Sequence, residues 1–141
     1  METFATHLLV ELDGCEKSVL DDEARVRALM TQAALAAGAT VVAEVFHRYS
    51  PQGVTGVVVI EESHLSVHTW PECGYAAVDF YTCGKCRPER AVEVLREGFL
   101  AERIEIVTVS RGLRSPAGSV RVEELVCGRA DAEVVPLRRQ G

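Results

Sequence analysis

Two serines and two histidines crowd one short stretch, VVIEESHLSVHTW (58–70). Ser63 and Ser66 offer hydroxyl nucleophiles, His64 and His68 offer imidazoles, and Glu61 and Glu62 stand just before them. Further on, Cys83 and Cys86 share a C-x-x-C spacing. Three chemistries are open to such a set. A serine hydrolase needs a histidine base, an orienting acid and an oxyanion hole, and no G-x-S-x-G elbow is present. A Cys2His2 metal site is compatible with the spacings, because His64 and His68 share a face of an extended strand. Against it, the histidines sit at a strand end rather than in a finger, and the chain is long enough to fold without zinc. The C-x-x-C also lacks the βαβ setting of a redox motif. The third chemistry is self-processing. A serine hydroxyl can attack the carbonyl of the residue before it where the chain is kinked, and well-oriented internal nucleophiles reach effective molarities of about 10⁵ M or more. Glu61-Glu62-Ser63 is where a strand-like run stops alternating, so a kink is expected there. A histidine with an ordinary pKa of about 6.5 can serve as base at neutral pH. In a straight strand Ser63 and His68 point to opposite faces, so this chemistry also calls for a bend between them. Residue chemistry alone does not choose among the three.

The elements that must position these groups follow from periodicity. THLLVEL (6–12) reads as a strand closed by Asp13-Gly14. Asp21 and Asp22 favour a helix start, Val26, Leu29, Met30, Ala33 and Ala37 recur at helical spacing, and Gly38 ends it. Residues 40–50 and 54–60 form a hairpin about Pro51-Gln52-Gly53, 65–70 and 75–81 continue the sheet, and CGKCRP (83–88) is a loop. Pro88 suits the first turn of a second helix, with Ala91, Val94, Leu95 and Phe99 on one face. RIEIVTVS (103–110) is a last clear strand. The order β-α-β-β-β-β-α-β predicts an α+β fold: a mostly antiparallel sheet with two helices on one face. The sheet's other face then needs cover, which dimerisation would give. Residues 114–141 read as a tail of unassigned role, in which only VRVEELV (120–126) has strand or helix potential.

Bulk properties narrow the class. The chain has 141 residues and a net charge of −6, which suits one soluble domain. Residues 1–110 hold 9 basic and 17 acidic side chains, and an acidic body argues against nucleic acid as partner. No apolar run approaches the roughly 20 residues that span a bilayer. The start of the chain lacks the basic region of a signal peptide. Five cysteines do not make a disulfide framework. A cytoplasmic protein with reduced thiols is expected.

ESHLSVHTWPE (62–72) resembles the processing-site signature of the bacterial and archaeal S-adenosylmethionine decarboxylase proenzymes. HLLVELDGC (7–15), AGATV (37–41), SPQGVTGVVVI (50–60), GYAAVDFYTCG (74–84) and VSRGL (109–113) resemble family segments in the same order, so the likeness covers about residues 4–113. The resemblance implies an α/β two-layer sandwich and homodimers of cleaved protomers. It implies that Ser63 attacks the carbonyl of Glu62, that His68 assists the elimination that follows, and that the chain splits into 1–62 and 63–141. Ser63 then becomes a pyruvoyl group, which forms a Schiff base with S-adenosylmethionine and takes the place of pyridoxal phosphate, with no metal. Cys83 matches the family's proton donor. The product is the aminopropyl donor for spermidine biosynthesis. Tyr49 and Trp70 are candidates to stack on adenine, and Glu72 to meet the ribose or the sulfonium. His64 is expected to orient backbone or pack, and Thr55 to bond the processing junction or serve as an ordinary β-former. Cys15, Cys73 and Cys127 carry no assigned role. Cys86 departs from the family pattern: it could lower the Cys83 pKa, form a regulatory disulfide, or do nothing. Two alternatives remain: a pyruvoyl decarboxylase of ornithine or arginine on the same scaffold, and an unprocessed regulatory homologue.

Overall fold

Burial alternates along the central strands, so each of them hides one face, and the two longer helices supply the cover. The computed structural model describes residues 5–83, 85–112, 120–129 and 135–137, the last two stretches as backbone only. The elements run β1 (Ala5–Asp13), α1 (Lys17–Leu20), α2 (Glu23–Ala36), β2 (Val41–Arg48), β3 (Val54–Ile60), β4 (Ser63–Trp70), a 3-10 turn (Pro71–Cys73), β5 (Tyr75–Thr82), α3 (Pro88–Gly98), β6 (Arg103–Arg111), β7 (Val120–Arg129) and β8 (Val135–Leu137). Among the described residues the strands form one sheet in the order β2-β3-β4-β5-β1-β6-β7-β8, and every neighbouring pair is antiparallel. This is the expected α+β architecture, carried two strands further.

The core lies between the sheet and α2 and α3. Leu8, Val10 and Leu12 of β1, Val54, Val58 and Ile60 of β3, Leu65 and Val67 of β4, and Ala76, Val78 and Phe80 of β5 are buried. They meet Val26, Leu29, Met30 and Ala33 of α2 and Ala91, Val92 and Leu95 of α3 in one cluster. Burying each larger side chain contributes about 1.5–3 kcal/mol. Asp22 caps α2 by accepting the Arg25 N–H at 3.1 Å, and Gly38, at φ 81°, lets the chain leave it. Gly56 is required by close approach: a Cβ there would lie 2.0 Å from the Phe46 ring on β2.

The odd-numbered half of β1 and β5 and the even-numbered half of β4 form the sheet's other face, on which no helix packs among the described residues. It carries His7, Leu9 and Glu11, then His64, Ser66, His68 and Trp70, then Tyr75, Ala77, Asp79 and Tyr81. Beyond residue 113, the backbone of β7 pairs along β6 from Arg111↔Val120 to Arg103↔Arg129. β8 pairs in turn with β7, from Leu125↔Leu137 to Cys127↔Val135, and the other residues of the expected tail, with the Cys127 side chain, lie outside the described residues.

Candidate active site

Ile60 pairs with Ser63, which leaves Glu61 and Glu62 as a two-residue turn between β3 and β4. The turn is pinned from two sides. The Glu61 N–H donates to the Thr40 carbonyl at 2.9 Å, and the Thr40 N–H donates to the Glu62 carboxylate at 3.3 Å. Just past β5, the Cys83 N–H donates to the Glu62 carbonyl at 2.9 Å. The Cys83 thiol donates to the same oxygen at 3.3 Å. Two donors on one carbonyl polarise it and are placed to hold the negative charge that nucleophilic attack would develop there.

Ser63 follows that carbonyl directly and has φ 138°, a conformation that residues with a side chain rarely adopt. Such strain costs about 1–3 kcal/mol and gathers at functional sites. The kink expected at Glu61-Glu62-Ser63 is therefore present. The bend expected between Ser63 and His68 is absent. β4 keeps an unbroken register with β5 from Ser63↔Thr82 to Trp70↔Tyr75. The reason is packing: Leu65 and Val67 are fully buried at alternate positions, and a bend would pull one of them out. Five residues of extended strand separate Ser63 and His68 by about 16 Å, and seven separate Ser63 from Trp70 by about 23 Å.

The far end of β4 holds a second cluster. His68 Nδ1 meets Thr55 Oγ1 at 3.0 Å, which fixes the ring's orientation. So Thr55 contacts His68 rather than the Glu62-Ser63 junction. Trp70, 41% exposed, stacks on Tyr75 with ring centroids 5.2 Å apart, and His68 lies 6.3 Å from the Trp70 ring. Tyr49, also exposed, meets His47 edge-on at 4.7 Å beside Gly53. Glu72 lies exposed in the 3-10 turn that follows Trp70. This end is anchored by Thr69, whose hydroxyl donates to the Leu20 carbonyl at 2.7 Å and accepts the Val54 N–H at 2.9 Å. Asp21 anchors it as well, accepting the Gly53 N–H at 2.9 Å and pairing with Arg48 at 2.8 Å. Those contacts, the Gly53 bond first, hold the Asp21 carboxyl below the usual carboxylate range.

Between the two ends runs a polar network that residue spacing did not reveal. His7 donates to Asp79 at 3.1 Å, Ser66 donates to the other Asp79 oxygen at 2.9 Å, and Arg111 donates to His7 Nδ1 at 3.4 Å while lying over the Tyr81 ring. Ser66 is thus tied to an aspartate, and His64 packs against Tyr81 at 5.7 Å. Tyr75 donates to Glu11, whose carboxyl is pushed up by burial and then by the charges of Glu105 and Asp79. Only the backbone register, which sets β1 beside β5, could have found this network. Among the described residues no three His, Cys, Asp or Glu side chains gather as a metal site, and His68 lies far along the strand from Cys83 and Cys86. Cys15 is buried and its thiol is pushed up to about 12, by burial first and then by Asp13.

Comparison with known proteins finds relatives over most of the chain. A family model described as S-adenosylmethionine decarboxylase matches residues 6–112. A protein of Pelotomaculum thermopropionicum named S-adenosylmethionine decarboxylase proenzyme is 50% identical over 114 residues, which is 80% of this chain and 90% of that protein. A proenzyme of the same name from Moorella thermoacetica is 46% identical, over 86% of this chain and 98% of its own length. One from Methanococcus vannielii is 44% identical, over 80% and 93%. The crystal structure of the adenosylmethionine decarboxylase from Aquifex aeolicus superposes with a TM-score of 0.72 at 33% identity, covering 84% of this chain and 99% of that one.

Proposed function

The chain belongs to the S-adenosylmethionine decarboxylase family, and we propose that it decarboxylates S-adenosylmethionine with a pyruvoyl group made from its own Ser63. The observation that carries this reading is the doubly donated carbonyl of Glu62, set directly before a strained serine. Ser63 Oγ attacks that carbonyl, and the Cys83 N–H and thiol hold the oxyanion. The amide nitrogen leaves with a proton, giving an ester. Loss of the Ser63 α-proton then expels the Glu62 carboxylate and cuts the chain after residue 62. The dehydroalanine left behind tautomerises to an imine, which water hydrolyses to the pyruvoyl ketone with release of ammonia. The fold survives the cut, because β1 of the first fragment lies between β5 and β6 of the second. The pyruvoyl group supplies the electron sink as carbon dioxide leaves. Cys83, exposed at the same junction, returns a proton to the α-carbon.

The straight β4 sets where the other residues act. His68 cannot reach Ser63 of its own chain across about 16 Å of strand. A second copy, laid antiparallel across the uncovered sheet face, brings His68 of the partner subunit to the turn end, where the φ 138° backbone takes Ser63 out of the strand's alternation. The same docking brings Trp70, Tyr49 and Glu72 to the substrate. The face suits a partner: Leu9, Val45, Val59 and Trp70 stand exposed on it or at its rim. In this reading the protein is a cytoplasmic homodimer with two sites, each built from both chains, and it feeds aminopropyl transfer to polyamines.

Intact mass of the purified protein tests the reading. Fragments 1–62 and 63–141, the second without a free α-amine, together with carbon dioxide release from S-adenosylmethionine, support it. A chain that stays whole on long incubation points to the unprocessed homologue. Carbon dioxide released from ornithine or arginine, and none from S-adenosylmethionine, moves the enzyme to another substrate.

A further inference from the structure

The loop between β5 and α3 holds two thiols, and the reaction proposed above uses one. Cys83 is exposed and fixed at its backbone by the 2.9 Å bond to Glu62. Cys86 is half-buried against the core, and its thiol is hydrogen-bonded to Thr82, the residue before Cys83. The far side of the loop is fixed too, by the Arg87 N–H on the Ala37 carbonyl at 2.9 Å. Both thiols are therefore anchored, and they border the same Ser63↔Thr82 rung. Burial pushes the Cys86 thiol up, and the charges of Glu62 and Cys83, close enough to act on it, push the same way against the Thr82 bond. A protonated, sheltered thiol is idle in the decarboxylation cycle. Beside an exposed thiol it has one evident use.

We propose that Cys86 is the resolving thiol of Cys83, converting peroxide-oxidised Cys83 into a Cys83–Cys86 disulfide that silences the enzyme reversibly. The oxidant is hydrogen peroxide. The Cys83 sulfur attacks one peroxide oxygen, the O–O bond breaks, and the hydroxide that leaves takes the Cys83 proton to become water. Cys83 is then a sulfenic acid. The Cys86 sulfur attacks it, the S–O bond breaks, and hydroxide leaves with the Cys86 proton as a second water. Two thiols have given two electrons to one peroxide. The disulfide removes the hydrogen that Cys83 must donate. It also keeps Cys83 from the sulfinic state, which thiol reductants do not reverse.

The silencing rests on Cys83 as proton donor; the pairing does not, so mass and activity are read together. The cleaved enzyme is treated with hydrogen peroxide, assayed, then treated with dithiothreitol and assayed again, with cysteine-containing peptides mapped at each stage. Wild type is expected to lose activity, to show peptides linked through Cys83 and Cys86, and to regain activity on reduction. Cys86→Ser is expected to start at the wild-type level, to lose activity to peroxide, and to regain none, with Cys83 found as sulfinic acid. Cys73→Ser, which removes another exposed thiol, should behave as wild type. Full recovery of Cys86→Ser, or a wild type inactivated without the linked peptides, overturns the proposal. Linked peptides with undiminished activity overturn the silencing and, with it, the role of Cys83 as acid.

Discussion

The two ends of β4 are built from different materials. At the turn end, the Glu62 carbonyl is held by a backbone N–H and a thiol, and Thr40 clamps the turn by one backbone bond and one carboxylate bond. At the far end, side chains do most of the holding: Thr55 on His68, Trp70 on Tyr75, Thr69 on Leu20, Asp21 on Gly53 and Arg48. The turn end presents a bond under strain. The far end presents an oriented imidazole and an exposed aromatic face. In the proposed reading one end serves bond breaking and the other binding and proton transfer, and the straight strand between them keeps the two apart within one chain.

The largest expected effect breaks that comparison outright. Ser63→Ala should remain whole, since the attacking hydroxyl is gone. His68→Ala should be cut more slowly by about 10²–10⁴-fold, the usual contribution of a positioned acid or base. If the proposed dimer forms, co-expression of the two variants gives mixed dimers in which one site has both Ser63 and the His68 of the partner subunit. The His68→Ala chain in those dimers should then be cut, as read by mass of differently tagged chains. Cutting that never rises above the His68→Ala homodimer would mean that His68 works within its own chain or not at all.

The second prediction separates the two jobs given to Cys83. Cys83→Ala keeps the backbone N–H on the Glu62 carbonyl and loses only the thiol. Cutting should slow by at most about the 10²–10³-fold that one oxyanion donor is worth. Once cut, the variant should decarboxylate more slowly by about 10²–10⁴-fold. Full-rate turnover by Cys83→Ala would remove it as the acid. At the far end, Trp70→Ala should leave cutting at the wild-type rate. It should raise KM about tenfold to a hundredfold, in line with the roughly 1–3 kcal/mol of one stacked base. A cutting defect in Trp70→Ala would undo the division of labour between the ends.

How far the sequence reached depends on the range of each interaction. α2 and α3 were legible because Val26, Leu29, Met30 and Ala33, like Ala91 and Leu95, repeat at the helical period. The short α1 was not, because four residues show no period. β7 was seen only as a segment with potential, because pairing with β6 is a matter of register that no local pattern encodes. At the site, the kink at Glu62-Ser63 was legible as the place where alternation fails. The Cys83 donors were not, because a backbone N–H has no residue type and its target is set by the β4–β5 register. The bend that the chemistry calls for before His68 is absent because the burial of Leu65 and Val67 holds β4 straight.

The smallest effect concerns what pins the far end. The Asp21 carboxyl is held below the ordinary carboxylate range by the Gly53 N–H and by Arg48, so the folded chain gives up the Asp21 proton more readily than the unfolded chain does. As the pH falls, the unfolded form takes up that proton first. The stabilisation is complete above the ordinary carboxylate range, near pH 4, and is lost as the pH drops through the depressed value. Asp21→Asn should therefore lower the urea midpoint slightly at neutral pH, and the gap from wild type should close as the solution is acidified. The effect is small because solvent and salt screen an ion pair at this depth. The turn end's main backbone contacts have no carboxyl to titrate, so cutting of freshly refolded Asp21→Asn should match wild type at neutral pH, while its KM for S-adenosylmethionine rises with the loosening of Gly53 and Tyr49. A cutting defect larger than the KM effect would mean that the two ends are mechanically joined through β3 rather than independent.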